Sequence, residues 1–262
     1  MVNKFSLIDD ESDLVIGNCS DLIGLTGNCT EKIDNEVFHK ITLLDFRFND
    51  DFKVYCKKTK TYINNLYLAI LNNEGNPIGS YYYYLKEPHY FHRYGFGEGL
   101  TKLELIGTIL QVASEEGLEI WEMRRSSLPK RNLWTILSKK QRIGWLEVAR
   151  LHYNTIPNSP DQQNGKYDIE ASNVSDSSSF FCALGEAING PGGYYGFDLL
   201  SLKDCLCGGF GAVPPFTIHL RNGNDSSKLR VNNNDLVLEE DETFFQQLND
   251  LLLVNNVTLI RE

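Results

Sequence analysis

Long apolar runs are missing from this chain of 262 residues. No stretch approaches the ~18 consecutive apolar residues of a spanning helix, so no membrane crossing by a helix is expected. The opening Met-Val-Asn-Lys-Phe-Ser-Leu-Ile-Asp-Asp-Glu lacks the basic and then apolar layout of a secretory signal. A soluble, cytoplasmic protein is the expectation. Basic residues are also short: 25 Lys and Arg stand against 35 Asp and Glu, for a net charge of −10 and a pI of about 5.0. Phosphate backbones need a surplus of Lys and Arg, so the balance disfavours nucleic acid and favours a basic partner.

Cysteine and histidine patterns are equally sparse. Cys19, Cys29, Cys56, Cys182, Cys205 and Cys207 include no C-x-x-C and no Cys/His pairs at zinc spacing. They read as small buried apolar side chains in a reducing compartment, with no metal. Five Asn-x-Ser/Thr triplets, at Asn18, Asn28, Asn173, Asn224 and Asn256, would matter only in a secreted chain. His89 and His92 lack the i, i+4 spacing and intervening Glu of a zinc protease. Gly95-Phe-Gly-Glu-Gly99 and Gly190-Pro-Gly-Gly193 match neither a dinucleotide nor a phosphate loop, and there is no G-x-S-x-G elbow. Catalysis is not indicated, and no cofactor is implied.

What is present is core-forming material. With 42% apolar residues and 11% aromatics the chain can bury a real core, and its length suggests two domains. Residues 1–113 read as β-rich: Phe5–Ile8, Asp13–Gly17 and His39–Phe46 are short apolar and β-branched runs between turn residues. Leu66–Leu71, the turn Asn72–Pro77 and Ile78–Leu85 read as a hairpin. Within it Tyr81 to Tyr84 could offer a stacking platform for bases. Alternate strand residues point to opposite faces, however, so only two rings can share a surface, and packing is the simpler role.

A helical segment spans 114–153. Ser114 can cap a helix through Trp121, with Glu115 and Glu116 in its first turn, and Ser138 precedes a helix on which Ile143, Leu146, Ala149 and Tyr153 fall near one face. Between Glu122 and Arg150 eight bases face only two acids. This stretch reads either as a solvated face or as a nucleic-acid stripe with Trp134 and Trp145 interleaved. Residues 154–165 are polar and rich in turn formers, as a linker would be. From 166 to 262 strands at Tyr167–Glu170, Pro215–Leu220 and Val257–Ile260 alternate with helices at 177–188, 199–206 and 243–253, which indicates a small, mainly parallel sheet.

The glycine-rich run before Tyr194 and Tyr195 ends one helix, and a second starts near Asp198, an acid suited to its positive end. At helical spacing Leu199, Leu202, Cys205 and Leu206 form a buried face. Leu200, Ser201, Asp204 and Cys207 lie opposite, with Lys203 at the edge. Such a helix is built for contact and holds no bond-making chemistry.

Tyr194-Tyr-Gly, Leu199, Leu202, Asp204-Cys-Leu, Gly208 and Pro214-Pro-Phe-Thr-Ile together resemble the barstar family of intracellular ribonuclease inhibitors, over Lys166 to Glu262. The longer Ala183–Gly196 string and the Arg124–Arg150 segment resemble an N-terminally extended subgroup. The resemblance implies a small α/β barstar-like domain on a parallel sheet, preceded by a β-rich domain and a helical segment. It further implies an immunity protein that plugs the active site of a basic ribonuclease toxin with an acidic helix and a Tyr/Gly loop. On that resemblance Tyr194 is a contact tyrosine, Asp204 the main carboxylate, Gly208 a contact glycine and Cys205 a buried thiol. Asp198 stands where the family has Asn, Leu200 where it has an acid, Lys203 where it has Trp, and Asp250 lies beside the position of a late-helix Glu. Ser201 completes the expected partner-binding set, and Pro214-Pro215 falls where the family can hold a cis bond. Independently, residues 166–262 carry 14 acids against 6 bases, a field that would steer a basic partner. The same surface could serve another toxin or a regulatory partner, and the basic 124–150 segment leaves an RNA-associated module as a further reading.

Overall fold

The computed structural model describes residues 2–58, 62–90, 100–155, 160–222 and 239–261. His92, the Gly95–Gly99 motif, Asn224 and the acids Asp225 and Asp235 lie outside the described residues. The chain divides into two compact units, Met1–Ser127 and Leu128–Glu262.

The first unit is built on antiparallel pairing. Its strands are β1 (Phe5–Asp9), β2 (Val15–Cys19), β3 (Asp21–Ile23), β4 (Thr30–Ile33), β5 (Glu36–Phe48), β6 (Tyr62–Leu71), β7 (Pro77–Tyr90) and β8 (Leu100–Ile109), with α1 (Asp50–Lys58) and α2 (Glu115–Ser126). β1, β6, β7, β8, β5 and β2 follow one another round a ring, and the β2–β5 pairing through Gly17↔Phe48 and Asn18↔Arg47 closes it. Closure follows from the length of β5. One edge of its 13 residues meets β8, while β4, β3 and β2 share the other. A closed six-stranded barrel results, with β3 and β4 as extra strands.

Period-two alternation fills this unit. Leu66, Leu68 and Ile70 on β6, and Tyr81 and Tyr83 on β7, are buried together with Leu7, Ile16, Ile41 and Leu43. Each such apolar side chain contributes about 1.5–3 kcal/mol on leaving water. The buried tyrosines need partners for their hydroxyls. Tyr83 Oη lies 2.8 Å from the His39 carbonyl and 3.0 Å from that of Leu105, and Trp121 Nε1 donates to Tyr81 Oη at 3.0 Å. A Cβ on Gly79 would sit 2.1 Å from the Trp121 ring, so only glycine admits the indole there. α2 starts where Ser114 Oγ accepts the Gly117 N–H at 2.8 Å, the cap foreseen in the sequence, and it runs on to Ser126.

The second unit holds α3 (Lys139–Tyr153), β9 (Lys166–Glu170), α4 (Ser177–Asn189), α5 (Leu199–Leu206), β10 (Phe216–Arg221), α6 (Glu239–Val254) and β11 (Val257–Arg261). Its sheet has three parallel strands in the order β11–β10–β9. α4 is the central helix, buried from Ser178 to Glu186. Both α3 and α4 begin in capping boxes, Ser138 with Gln141 and Asp176 with Ser179. Among the described residues no helix is long and apolar enough to cross a membrane.

This architecture corrects the expected fold class. The chain is not a small α/β barstar-like fold on a parallel sheet with a loosely defined β-rich preface. Among the described residues the largest sheet is a closed antiparallel barrel with extra strands, and the parallel sheet is a minor, three-stranded part beside six α-helices. Alternation along a strand shows which residues face inward but not which distant edges meet, so the ring was hidden. The expected face of α3 also shifts. Leu146, Ala149 and Tyr153 are buried with Trp145 and Val148, whereas Ile143 is 54% exposed.

Candidate protein-binding site

The second unit fixes α5 from both ends. Asp198 Oδ1 accepts the Ser201 N–H at 2.7 Å, while Ser201 Oγ accepts the Phe197 and Asp198 N–H groups at 2.8 and 3.0 Å. Both side chains are therefore engaged in starting the helix, a more local task than the partner contact expected of them. Leu202, Cys205 and Leu206 are buried, Leu199 is half-buried, and α6 packs against the helix. Burial pushes the Cys205 thiol up to about 12, which keeps it a neutral packing group. Outward stand Leu200, 71% exposed, with Lys203, Asp204 and Cys207. Asp250, on α6, is exposed as well.

Tyr194 is not on this surface. It is buried against Tyr153 and Phe210, at ring distances of 6.2 and 5.9 Å, and burial raises its hydroxyl pKa. Tyr195 is fully buried and donates to the Ala212 carbonyl at 2.8 Å. The pair anchors the loop from beneath. Asn189 Nδ2 ties the Tyr194 carbonyl at 2.7 Å and that of Phe210 at 3.0 Å, linking the stretches before and after α5. Phe197, 41% exposed, lies under the Arg150 guanidinium at 5.4 Å.

After α5 the chain turns through Gly208, Gly209 and Gly211, whose φ values of +111°, +85° and +91° exclude most side chains. Asp161 holds this turn. Its carboxylate accepts the N–H groups of Gly209 at 2.7 Å, Phe210 at 3.1 Å and Gly211 at 2.9 Å. Gly208 is half-buried, and a Cβ there would come within 2.9 Å of the same carboxylate. Residues 160–165, read as part of a linker, run beside 209–215: Val213 N–H donates to the Gln162 carbonyl at 3.1 Å and Gln162 N–H to that of Gly211 at 3.1 Å. The Pro214–Pro215 bond is cis.

Asp161 has no motif to announce it. A carboxylate that binds three consecutive amides 48 or more positions away is visible only once the chain has folded. A second feature was equally hidden, a cleft of about 200 Å3 lined by Arg131, Trp134, Asp168, Glu186 and Arg221. Burial raises the Glu186 pKa, although the Asn132 N–H donates to both its oxygens at 2.9 and 3.0 Å and Arg131 is 3.7 Å away. The Trp134 N–H lies toward the same carboxylate but outside hydrogen-bond geometry.

The basic 124–150 stretch is divided. Arg124 and Arg125 are buried in the first unit, where Arg125 donates to the Lys4 carbonyl at 2.7 Å. Arg142 pairs with Asp176, and Trp134 and Trp145 are 2% exposed. Three of the eight bases are thus turned inward or paired, and neither tryptophan offers a ring face for base stacking. Among the described residues no group of three or more His, Cys, Asp and Glu could hold a metal ion. No protein-family model, no curated protein and no solved structure matches the chain.

Proposed function

We propose that the outward face of α5 is a protein-docking surface, and that its target is a basic ribonuclease whose cleft receives Asp204. The observation that carries this reading is the way the face is held. Leu200, Lys203 and Asp204 project from a helix whose first turn is capped, whose opposite side is buried and whose following loop is held by the Asp161 carboxylate. A backbone that is already ordered has little freedom left to lose on binding. The choice of a ribonuclease rests on the sequence resemblance and on the net charge of −10, which favours encounter with a basic protein. Tyr194 takes part only from below, as a support for the loop. Leu200 and Lys203, in place of an acid and a tryptophan, suit a target surface with an apolar recess and an acid of its own. A different toxin with those features is the second reading, favoured by these two side chains.

Co-purification with the product of a neighbouring toxin gene, followed by a ribonuclease assay, identifies the target. Against it, Asp204→Ala should weaken binding by at least ~2 kcal/mol, because a desolvated charge is left unpaired. The folding stability of the free protein should change by less than ~0.5 kcal/mol, as at other exposed positions. A binding loss within ~0.5 kcal/mol would show that Asp204 is only a surface acid.

A further inference from the structure

The four consecutive tyrosines are put to two uses. Tyr81 and Tyr83 fill the first unit, whereas Tyr82 and Tyr84 emerge on its outer face. There they meet Tyr67 of the neighbouring strand: Tyr67 and Tyr82 are 4.9 Å apart at 74°, and Tyr82 and Tyr84 are 4.7 Å apart at 70°. The three rings thus form an edge-to-face row across β6 and β7, with Tyr84 42% exposed at one end.

An acidic turn stands next to this row. Between β1 and β2 the chain reads Asp9-Asp-Glu-Ser-Asp13. Asp9 is fully buried and holds the turn by accepting Ser12 N–H at 3.1 Å and Ser12 O–H at 2.6 Å. Asp10 faces the rings and accepts the Tyr82 hydroxyl at 2.6 Å. Its negative charge, with that of Asp13, also bears on Tyr67. Glu11 and Asp13 are exposed at the tip.

An acidic turn beside aromatic faces repels phosphate and attracts cations, so the platform is wrong for bases on a nucleic-acid backbone. It suits a guanidinium, which is planar, weakly hydrated, stacks on tyrosine and pairs with carboxylates through a rigid fork of donors. β6 and β7 are paired on both edges within the closed ring, so no strand can be added here and recognition must run through side chains.

We propose that the Tyr67–Tyr82–Tyr84 row and the Asp10–Asp13 turn form a docking surface for an extended, arginine-bearing peptide segment of a partner protein. One arginine stacks on Tyr84 while another meets the Asp10–Asp13 carboxylates. The test is fluorescence anisotropy of the full chain with a labelled Arg-Gly repeat peptide at physiological salt. Saturable binding is expected. Tyr84→Ala should weaken it about tenfold and Tyr84→Phe less than about twofold, since the ring face rather than the hydroxyl makes the contact. A matched Lys-Gly peptide should bind several-fold more weakly, having charge without a stacking plane. Equal binding of the two peptides, an unaffected Tyr84→Ala variant with native circular dichroism, or displacement of the peptide by a single-stranded oligonucleotide would each overturn the proposal. Absence of saturable binding by the unaltered chain would do so too.

Discussion

The two units solve the burial of polar groups differently. In the barrel the backbone pairs with itself round a ring, and the side-chain bonds that matter, such as those of Tyr83 to His39 and Leu105, only supplement the ladder. The second unit has three strands among its described residues, and its integrity passes through carboxylates. Asp176 receives Arg142, Ser178 and the Ser179 N–H; Glu186 receives the Asn132 N–H; Asp161 receives three amides of the glycine turn. A closed sheet is insured by repetition, whereas a small open one depends on single side chains. The barrel should therefore respond to changes of volume and the second unit to changes of charge.

The largest expected effect tests that contrast directly. Asp176→Ala removes the α4 cap and leaves the Arg142 guanidinium with only the neutral Ser178 hydroxyl and Leu137 carbonyl, so the second unit should lose about 3 kcal/mol. Peptide-resolved hydrogen exchange should show lost protection in α3 and α4 with the barrel strands unchanged. Equal loss in both units would dissolve the distinction. Next comes Gly79→Ala, whose new methyl collides with Trp121. A cost of about 2 kcal/mol is expected in the barrel unit alone. Adding Trp121→Phe should restore part of it, as read from urea unfolding; if it restores nothing, the cost lies in the backbone rather than in the indole.

The smallest effect sharpens the comparison through pH. Burial raises the Asp176 pKa, but the Ser178 and Ser179 bonds and the Arg142 charge outweigh it, holding the carboxyl below its ordinary range. Its stabilising contribution is complete above the ordinary Asp value and fades as pH falls through the depressed one. Glu186 runs the other way. Burial raises its pKa, so its contribution is greatest below the ordinary Glu value and declines as pH climbs through the raised one. Glu186→Gln should flatten that decline in the second unit, measured as urea midpoint against pH. A slope unchanged by the substitution would show that folding leaves the Glu186 pKa where it is in the unfolded chain.

Local features were the legible ones. Ser114 and Ser138 marked helix starts, the Asn72–Pro77 turn marked the hairpin, and the spacing of Leu202, Cys205 and Leu206 marked the buried side of α5. These depend on residues a few positions apart, where propensity and periodicity act. β3 and β4 carry no strand signal, because one has three residues and the other, Thr-Glu-Lys-Ile, is polar. Ring closure has none either, because Gly17 meets Phe48 and Phe46 meets Leu100 through no sequence signal. At the candidate site the exposure of Leu200, Lys203 and Asp204 followed from helical spacing. The burial of Tyr194 did not, since its cover comes from Tyr153 and Phe210, on separate stretches of chain.

Asp161 shows what it would take to move the α5 surface onto another scaffold. The helix and its glycine turn, cut out as one continuous peptide, would leave behind the carboxylate that gathers the Gly209, Phe210 and Gly211 amides. The smallest fragment that keeps this surface ordered is therefore discontinuous: residues 160–165 must travel with 189–215, since Asn189 ties the Tyr194 and Phe210 carbonyls. New chain ends opened between those two pieces would be tolerated only if both remained on the same graft.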